Sequence, residues 1–295
     1  MPPPDADFSF TIHFARGLGD PRRVFDAASE LIDGFEELDS ALAGSLDRTL
    51  KPLMVLEDVE AGSLRVWLKT VLTKIDDKGL AEGEWKKAIG PALVAAKYAA
   101  IEWLNNDQKT ASADAELFRE KLRGIASQTD VRPLGDYPPI HEAKLVAALD
   151  SLQDGKRILG PGDKLTIETE DRYYEVDLSK TWDPSEAIPV TEGTTSEKQS
   201  EGEIIVTIRK PDMTGQSMWQ FTRGKFPISA RILDEQWLNR FHNREVALYS
   251  GDALRCKVKF TYVFDQAGAM IEEKIEITKV LEVIPGPGGT QLHLI

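Results

Sequence analysis

The chain has 295 residues, 41% of them hydrophobic, and a formal net charge of −13. That length corresponds to about two domains, and the apolar share supports packed cores and excludes global disorder. The acidic balance argues against a protein whose main task is coating nucleic acid, and leaves protein and small-molecule partners open.

The character of the sequence changes near residue 160. Helical periodicity dominates before it; alternation with period two, broken by Gly, Pro and Asp, dominates after it. We therefore expect an α+β domain over residues 1–158 and a mostly-β, barrel-like or sandwich domain over residues 159–295.

In the first part, Phe8, Phe10, Ile12 and Phe14 alternate on one face of a half-buried strand. Asp20-Pro21 opens a helix carrying Val24, Ala28, Leu31, Phe35, Leu38 and Leu42, with acids on its opposite face and Gly44 at its end. Strands follow at Leu50–Glu57 and Leu64–Lys69, joined by a turn at Glu60-Ala61-Gly62-Ser63. Leu64, Val66 and Leu68 share one face of the second; Arg65, Trp67 and Lys69 share the other. Helices are expected over Glu84–Asn106, Asp114–Ser127 and Ile140–Gln153, on one face of a small antiparallel sheet. Strands Phe8–Phe14 and Leu64–Lys69 are expected at a sheet edge, where pairing would make a dimer.

Gly160-Pro161-Gly162-Asp163 marks the expected boundary. A hairpin follows, Lys164–Glu168 with Tyr173–Leu178. Residues Asp183–Gly202 are polar and read as a mobile linker. Strands resume at Glu203–Arg209, Met218–Thr222 and Phe226–Ile232, then a short helix capped by Asp234. Ala253–Phe264 and Ala269–Val280 form a hairpin around Asp265-Gln266-Ala267-Gly268. The tail from Pro285 is turn-like, with a final edge strand expected.

Chemistry-bearing patterns are sparse. Asp265, Glu272 and Lys274 on the last hairpin have the acid-then-Glu-x-Lys order of a metal-dependent nuclease, in which carboxylates hold Mg²⁺ and Lys polarises water. The competing reading is a cross-strand ladder, with Arg255, Lys257 and Lys259 facing Glu272, Lys274 and Glu276. Glu57, Asp58 and Glu60, with Lys69 on the next strand, are either a cation cluster or a solvated turn. A basic, aromatic stretch includes Trp219, Arg223, Lys225, Arg255, Lys257 and Lys259; a small barrel could use it to bind single-stranded nucleic acid. Trp237 and Phe241, four apart on the short helix, read instead as a core plug.

The single cysteine, Cys256, alternates with Leu254, Val258 and Phe260, so a buried structural thiol and a reducing cytoplasm are expected. The four histidines are scattered and define no zinc-type set, and no phosphate loop, dinucleotide fingerprint or nucleophile elbow is present. No metal and no cofactor is therefore expected. Met1-Pro2-Pro3-Pro4-Asp5 lacks the features of a signal peptide, and Ile89–Leu104 carries Lys97 and Glu102, which suits a helix on a sheet rather than a bilayer span.

Two patches carry a resemblance. Leu56-Glu57-Asp58-Val59-Glu60-Ala61-Gly62-Ser63-Leu64 resembles a segment closing the first sheet in a group of uncharacterised bacterial two-domain proteins. Ile228–Glu235 with Gly251-Asp252-Ala253-Leu254 resembles their C-terminal barrel-like module. The resemblance implies no activity; its association is with mobile or antiviral defence loci. The expectation is a non-catalytic cytoplasmic binding or assembly component with a protein partner or self-association and no membrane association. The alternatives are a nuclease or other phosphodiesterase and a single-strand nucleic-acid binder.

Overall fold

The structure is a computed structural model, and it describes residues 7–14, 20, 22–47, 50–60, 63–74, 82–132, 135–169, 172–190, 195–212, 218–224, 226–249 and 251–286. The chain divides into two compact units. The first holds the chain up to Val131 and Tyr137–Thr194, with Gln266–Ala269. The second holds Arg132–Asp136, Thr195–Asp265 and the chain from Met270. The division thus falls later than residue 158, because the hairpin after Gly160-Pro161-Gly162 pairs with the first strand of the chain.

In the first unit, β1 (Phe8–His13), β2 (Leu50–Glu60), β3 (Leu64–Lys74), β4 (Lys164–Glu168) and β5 (Tyr173–Val176) form one antiparallel sheet in the order β2-β3-β1-β4-β5. β1 is central and β3 interior, contrary to the expected edge positions; the edges are β2 and β5. β1 is buried on both faces, so its alternation was the wrong guide to its place: Ser9 and Thr11 are covered along with Phe8, Phe10 and Ile12.

Helices α1 (Arg22–Leu46), α2 (Glu82–Leu104), α3 (Gln108–Ala113), α4 (Ala115–Ser127), α5 (Glu142–Ile158) and α6 (Pro184–Ala187) belong to the same unit. Asp20 starts α1 by accepting the Arg22 amide at 2.9 Å; Pro21 lies outside the described residues. The predicted apolar stripe of α1 is buried, and Phe35 packs edge-on to Phe8 with ring centroids 4.7 Å apart. α1 and α5 meet through glycines: a Cβ at Gly34 would lie 2.8 Å from Leu152, and one at Gly155 would lie 2.9 Å from Leu31. Lys97 of α2 is buried in an ion pair with Asp39 of α1, and Thr70 of β3 donates to the same carboxylate at 2.7 Å.

In the second unit, β6 (Thr195–Lys210), β7 (Trp219–Arg223), β8 (Phe226–Ile232), α7 (Glu235–His242), β9 (Ala253–Asp265) and β10 (Met270–Ile284) follow in that order. Within the expected linker over Asp183–Gly202, Pro184–Ala187 is α6 and the stretch from Thr195 is the first half of β6, while residues 191–194 lie outside the described residues. That half reads as polar because it pairs with β9 while presenting mostly exposed side chains. Pairings run β10-β8-β7-β6-β9, and β9 pairs again with β10. Among the described residues the circle is completed by two parallel residue pairs, Glu276↔Arg231 and Ile277↔Ile232. Numbered within the unit, the order is 1-2-3-5-4, strands 3 and 5 are parallel, and a helix joins strands 3 and 4. This is the topology of the OB fold, a partly open five-stranded barrel. The final edge strand expected after Pro285 lies outside the described residues.

Candidate binding site on the C-terminal barrel

One end of the barrel is sealed by α7. Asp234 caps it by accepting the Trp237 amide at 3.1 Å, and its other oxygen accepts the Val280 amide of β10 at 3.1 Å, which ties the helix to the sheet. Trp237 and Phe241 stack with centroids 5.6 Å apart, and Trp219 lies 5.2 Å from Phe241. Trp219 is 1% exposed. The plug reading of Trp237 and Phe241 therefore describes the geometry, and Trp219 belongs to the same buried cluster, out of reach of a stacked base.

A second cluster is formed by inward positions nearer the other end of β9. The register places Lys198, Tyr262 and Glu273 in one row across β6, β9 and β10, beside a row of Ser200, Phe260 and Ile275. Successive side chains alternate between faces, so these rows share the face of Val258 and Ile277, which are core residues. Asp136, from outside the barrel strands, reaches this face. One of its carboxylate oxygens accepts from Ser200 Oγ at 2.8 Å and from the Tyr262 hydroxyl. Arg132 pairs with Glu273, lies over the Tyr262 ring at 5.8 Å and donates from Nε to the Asp136 carbonyl at 2.7 Å. Gly135, at φ +68°, turns the segment back, and its amide donates to the Arg132 carbonyl. Burial, followed by the bond to Asp136, pushes the Tyr262 hydroxyl well above the ordinary tyrosine range. The result is a polar site on an aromatic floor, filled by the protein's own Arg132 and Asp136.

The outer face is electrically balanced. In the register, Lys257 lies between Glu203 and Lys279, and Lys259 lies between Glu201 and Glu276. Arg255 pairs with Glu203 and approaches Glu282 at 3.9 Å. The acids of β6 thus flank the expected basic row. Arg223 ends β7 close to the Gly135 turn, and Lys225 lies outside the described residues. Among the described side chains, the outward positions of β7 and β8, such as Gln220, Thr222, Ser229 and Arg231, carry no aromatic ring. By composition the second unit holds fourteen acids and fourteen Lys or Arg, so the first carries the whole −13.

Asp265, Glu272 and Lys274 fall on the outer side of the β9–β10 hairpin. Glu272 and Lys274 form an exposed pair at 3.5 Å, and Asp265 lies opposite Thr195 of β6. Glu57 meets Lys69 at 3.7 Å, and Asp58 accepts its neighbour's amide, Val59, at 2.7 Å. Among the described residues no three His, Cys, Asp or Glu side chains converge as metal ligands. Cys256 is fully buried against the Ile204 carbonyl, and burial pushes its thiol up to about 12.

Two features of the first unit had no sequence signal. Lys156 is buried, donates to the Leu104 and Lys180 carbonyls at 3.1 and 2.6 Å, and is lowered to about 8 by burial. Its first contact satisfies the final carbonyl of α2, a structural task at a helix C-terminus. Asp150 is raised to about 6 by burial and by Asp183 and Asp154. No helix among the described residues is long and apolar enough to cross a membrane. No family model matches the sequence, and neither curated proteins nor solved structures provide a match.

Proposed function

We propose that the chain is a non-catalytic, cytoplasmic binding and assembly component whose OB-type barrel presents a surface to a protein partner. The observation carrying this reading is the strand order of the second unit, an arrangement whose recurrent use is ligand binding on the outer face and loops. A protein partner is favoured over nucleic acid by the balanced outer face. Each β9 cation has at least one glutamate beside it, and Trp219 lies in the core. Binding of single strands needs a positive groove and exposed rings. The single buried thiol supports the cytoplasmic location.

The test is fluorescence anisotropy of the full chain with short single-stranded DNA and RNA at low salt. The expected result is no saturable binding. Saturable binding that falls steeply with salt would overturn the protein-partner reading in favour of the nucleic-acid one, for which the barrel topology is the supporting observation.

A further inference from the structure

We propose that the protein forms a two-fold dimer by pairing its β2 edge with β2 of a second copy. This goes beyond the barrel reading and does not depend on it. β2 spans eleven residues, and β3 is its sole strand neighbour among the described residues. The opposite edge of the sheet, β5, has only four residues. β2 also presents large apolar side chains to solvent: Leu53 is 52% and Leu56 55% exposed. A long, apolar, open edge is a template for strand addition.

The sequence of this edge selects the occupant. Lys51-Pro52-Leu53-Met54-Val55-Leu56-Glu57 reads basic, then apolar, then acidic. An antiparallel copy reverses that order and so brings unlike ends together. A dyad perpendicular to the sheet requires opposed residues to lie on the same face, which restricts the centre to a residue facing its own copy. Centred on Met54, the pairing sets Lys51 opposite Glu57, Leu53 opposite Val55, and Pro52 opposite Leu56. Centred on Val55, it would set Leu53 against Glu57, apolar against charge. Glu57 lies on the required face, because it reaches Lys69, whose register partner is Val55. Pro52 lacks an amide hydrogen, and the register shift between Leu56 and Asp58 interrupts the strand. These two features bound the ladder to Pro52–Leu56, with the Lys51 and Glu57 side chains meeting just beyond its ends, so the contact closes as a dimer and does not propagate.

A stretch this short buries less than the standard interface of about 1,600 Å², which places the dimer in the weak class, with Kd on the order of 10–100 µM. The experiment is sedimentation velocity on the full chain from about 2 to about 500 µM, a range that brackets such a Kd. A monomer–dimer equilibrium is expected. Leu53→Lys should weaken it at least about tenfold; Ile205→Lys, an equally exposed site in the second unit, should leave it unchanged. Circular dichroism and melting should show both variants folded.

Lys51→Glu should also weaken the dimer, and adding Glu57→Lys should restore it. The two positions lie roughly 20 Å apart along one strand, so rescue can occur only across the dyad. A strict monomer at the highest concentration would overturn the proposal, as would an undiminished Leu53→Lys dimer or failed charge rescue. None of these results bears on the anisotropy measurement that tests the barrel.

Discussion

The Asp136 carboxylate should hold part of the barrel together, although it lies far from the barrel strands in sequence. Tyr262 is fully buried, and its hydroxyl donates to Asp136, which also accepts from Ser200. Asp136→Ala leaves a buried hydroxyl with no acceptor, which costs about 1–3 kcal/mol. Tyr262→Phe removes the donor and leaves the carboxylate its Ser200 bond, so its cost should be smaller, about 1–2 kcal/mol. Phe at 262 no longer needs an acceptor, so the double variant should cost at least about 1 kcal/mol less than the sum of the singles. Two units need not unfold together, so a single global midpoint is a poor readout. Native-state hydrogen exchange on Ala253–Asp265 reads β9 directly: protection should fall in each single variant and change little when the second substitution is added. Unchanged protection in Asp136→Ala, or strictly additive losses, would refute the coupling and reduce the Arg132–Asp136 turn to a surface contact.

Two predictions concern the first unit. The Asp150 carboxyl titrates near 6 when folded against an ordinary 3.8, so the folded state holds the extra proton between those values; its contribution is complete below pH about 4 and lost as pH rises through about 6. The ceiling is about 3 kcal/mol, reduced for partial solvent screening to about 1–2; Asp150→Asn should therefore stabilise at pH 7 and have no effect near pH 3.5. Chemical denaturation at the two pH values checks this, and a gain that persists in acid would contradict it. Asp39→Asn strands the buried Lys97 ammonium and should cost about 3–5 kcal/mol. Asp39→Leu combined with Lys97→Met and Thr70→Val should recover most of that, measured the same way; a triple variant as unstable as the single would show that the pair itself stabilises the fold.

The sequence exposed whatever depends on local chemistry. The α1 stripe, the Asp234 cap, the Trp237–Phe241 plug, the buried Cys256 and the last hairpin follow from spacing within one element, and each is found where periodicity places it. It misled where an element's character is set by a partner distant in the chain. β1 alternates like a half-buried strand, yet β3 and β4 flank it and both its faces are covered. The first half of β6 has the composition of a linker and is a strand because β9 offers it a continuous ladder. Gly160-Pro161-Gly162 looks like a domain boundary but only turns the chain from α5 into β4 of the same sheet.

The same distinction explains why the candidate site was the least legible part. Ser200, Tyr262 and Glu273 face one way only once three strands are in register, and Asp136 reaches them from 64 and 126 residues away in the chain. No spacing rule connects such positions. The basic row of β9 illustrates the converse: its cations are close in sequence, but the glutamates beside them come from β6 and β10. Charge in a sheet is therefore a property of rows across strands rather than of runs along them. Read across its rows, this barrel has a near-neutral outer face, while the net negative charge is carried by the other unit. That combination disfavours non-specific attachment to polyanions, and under the proposed binding role it would leave shape and hydrogen bonding to select a partner.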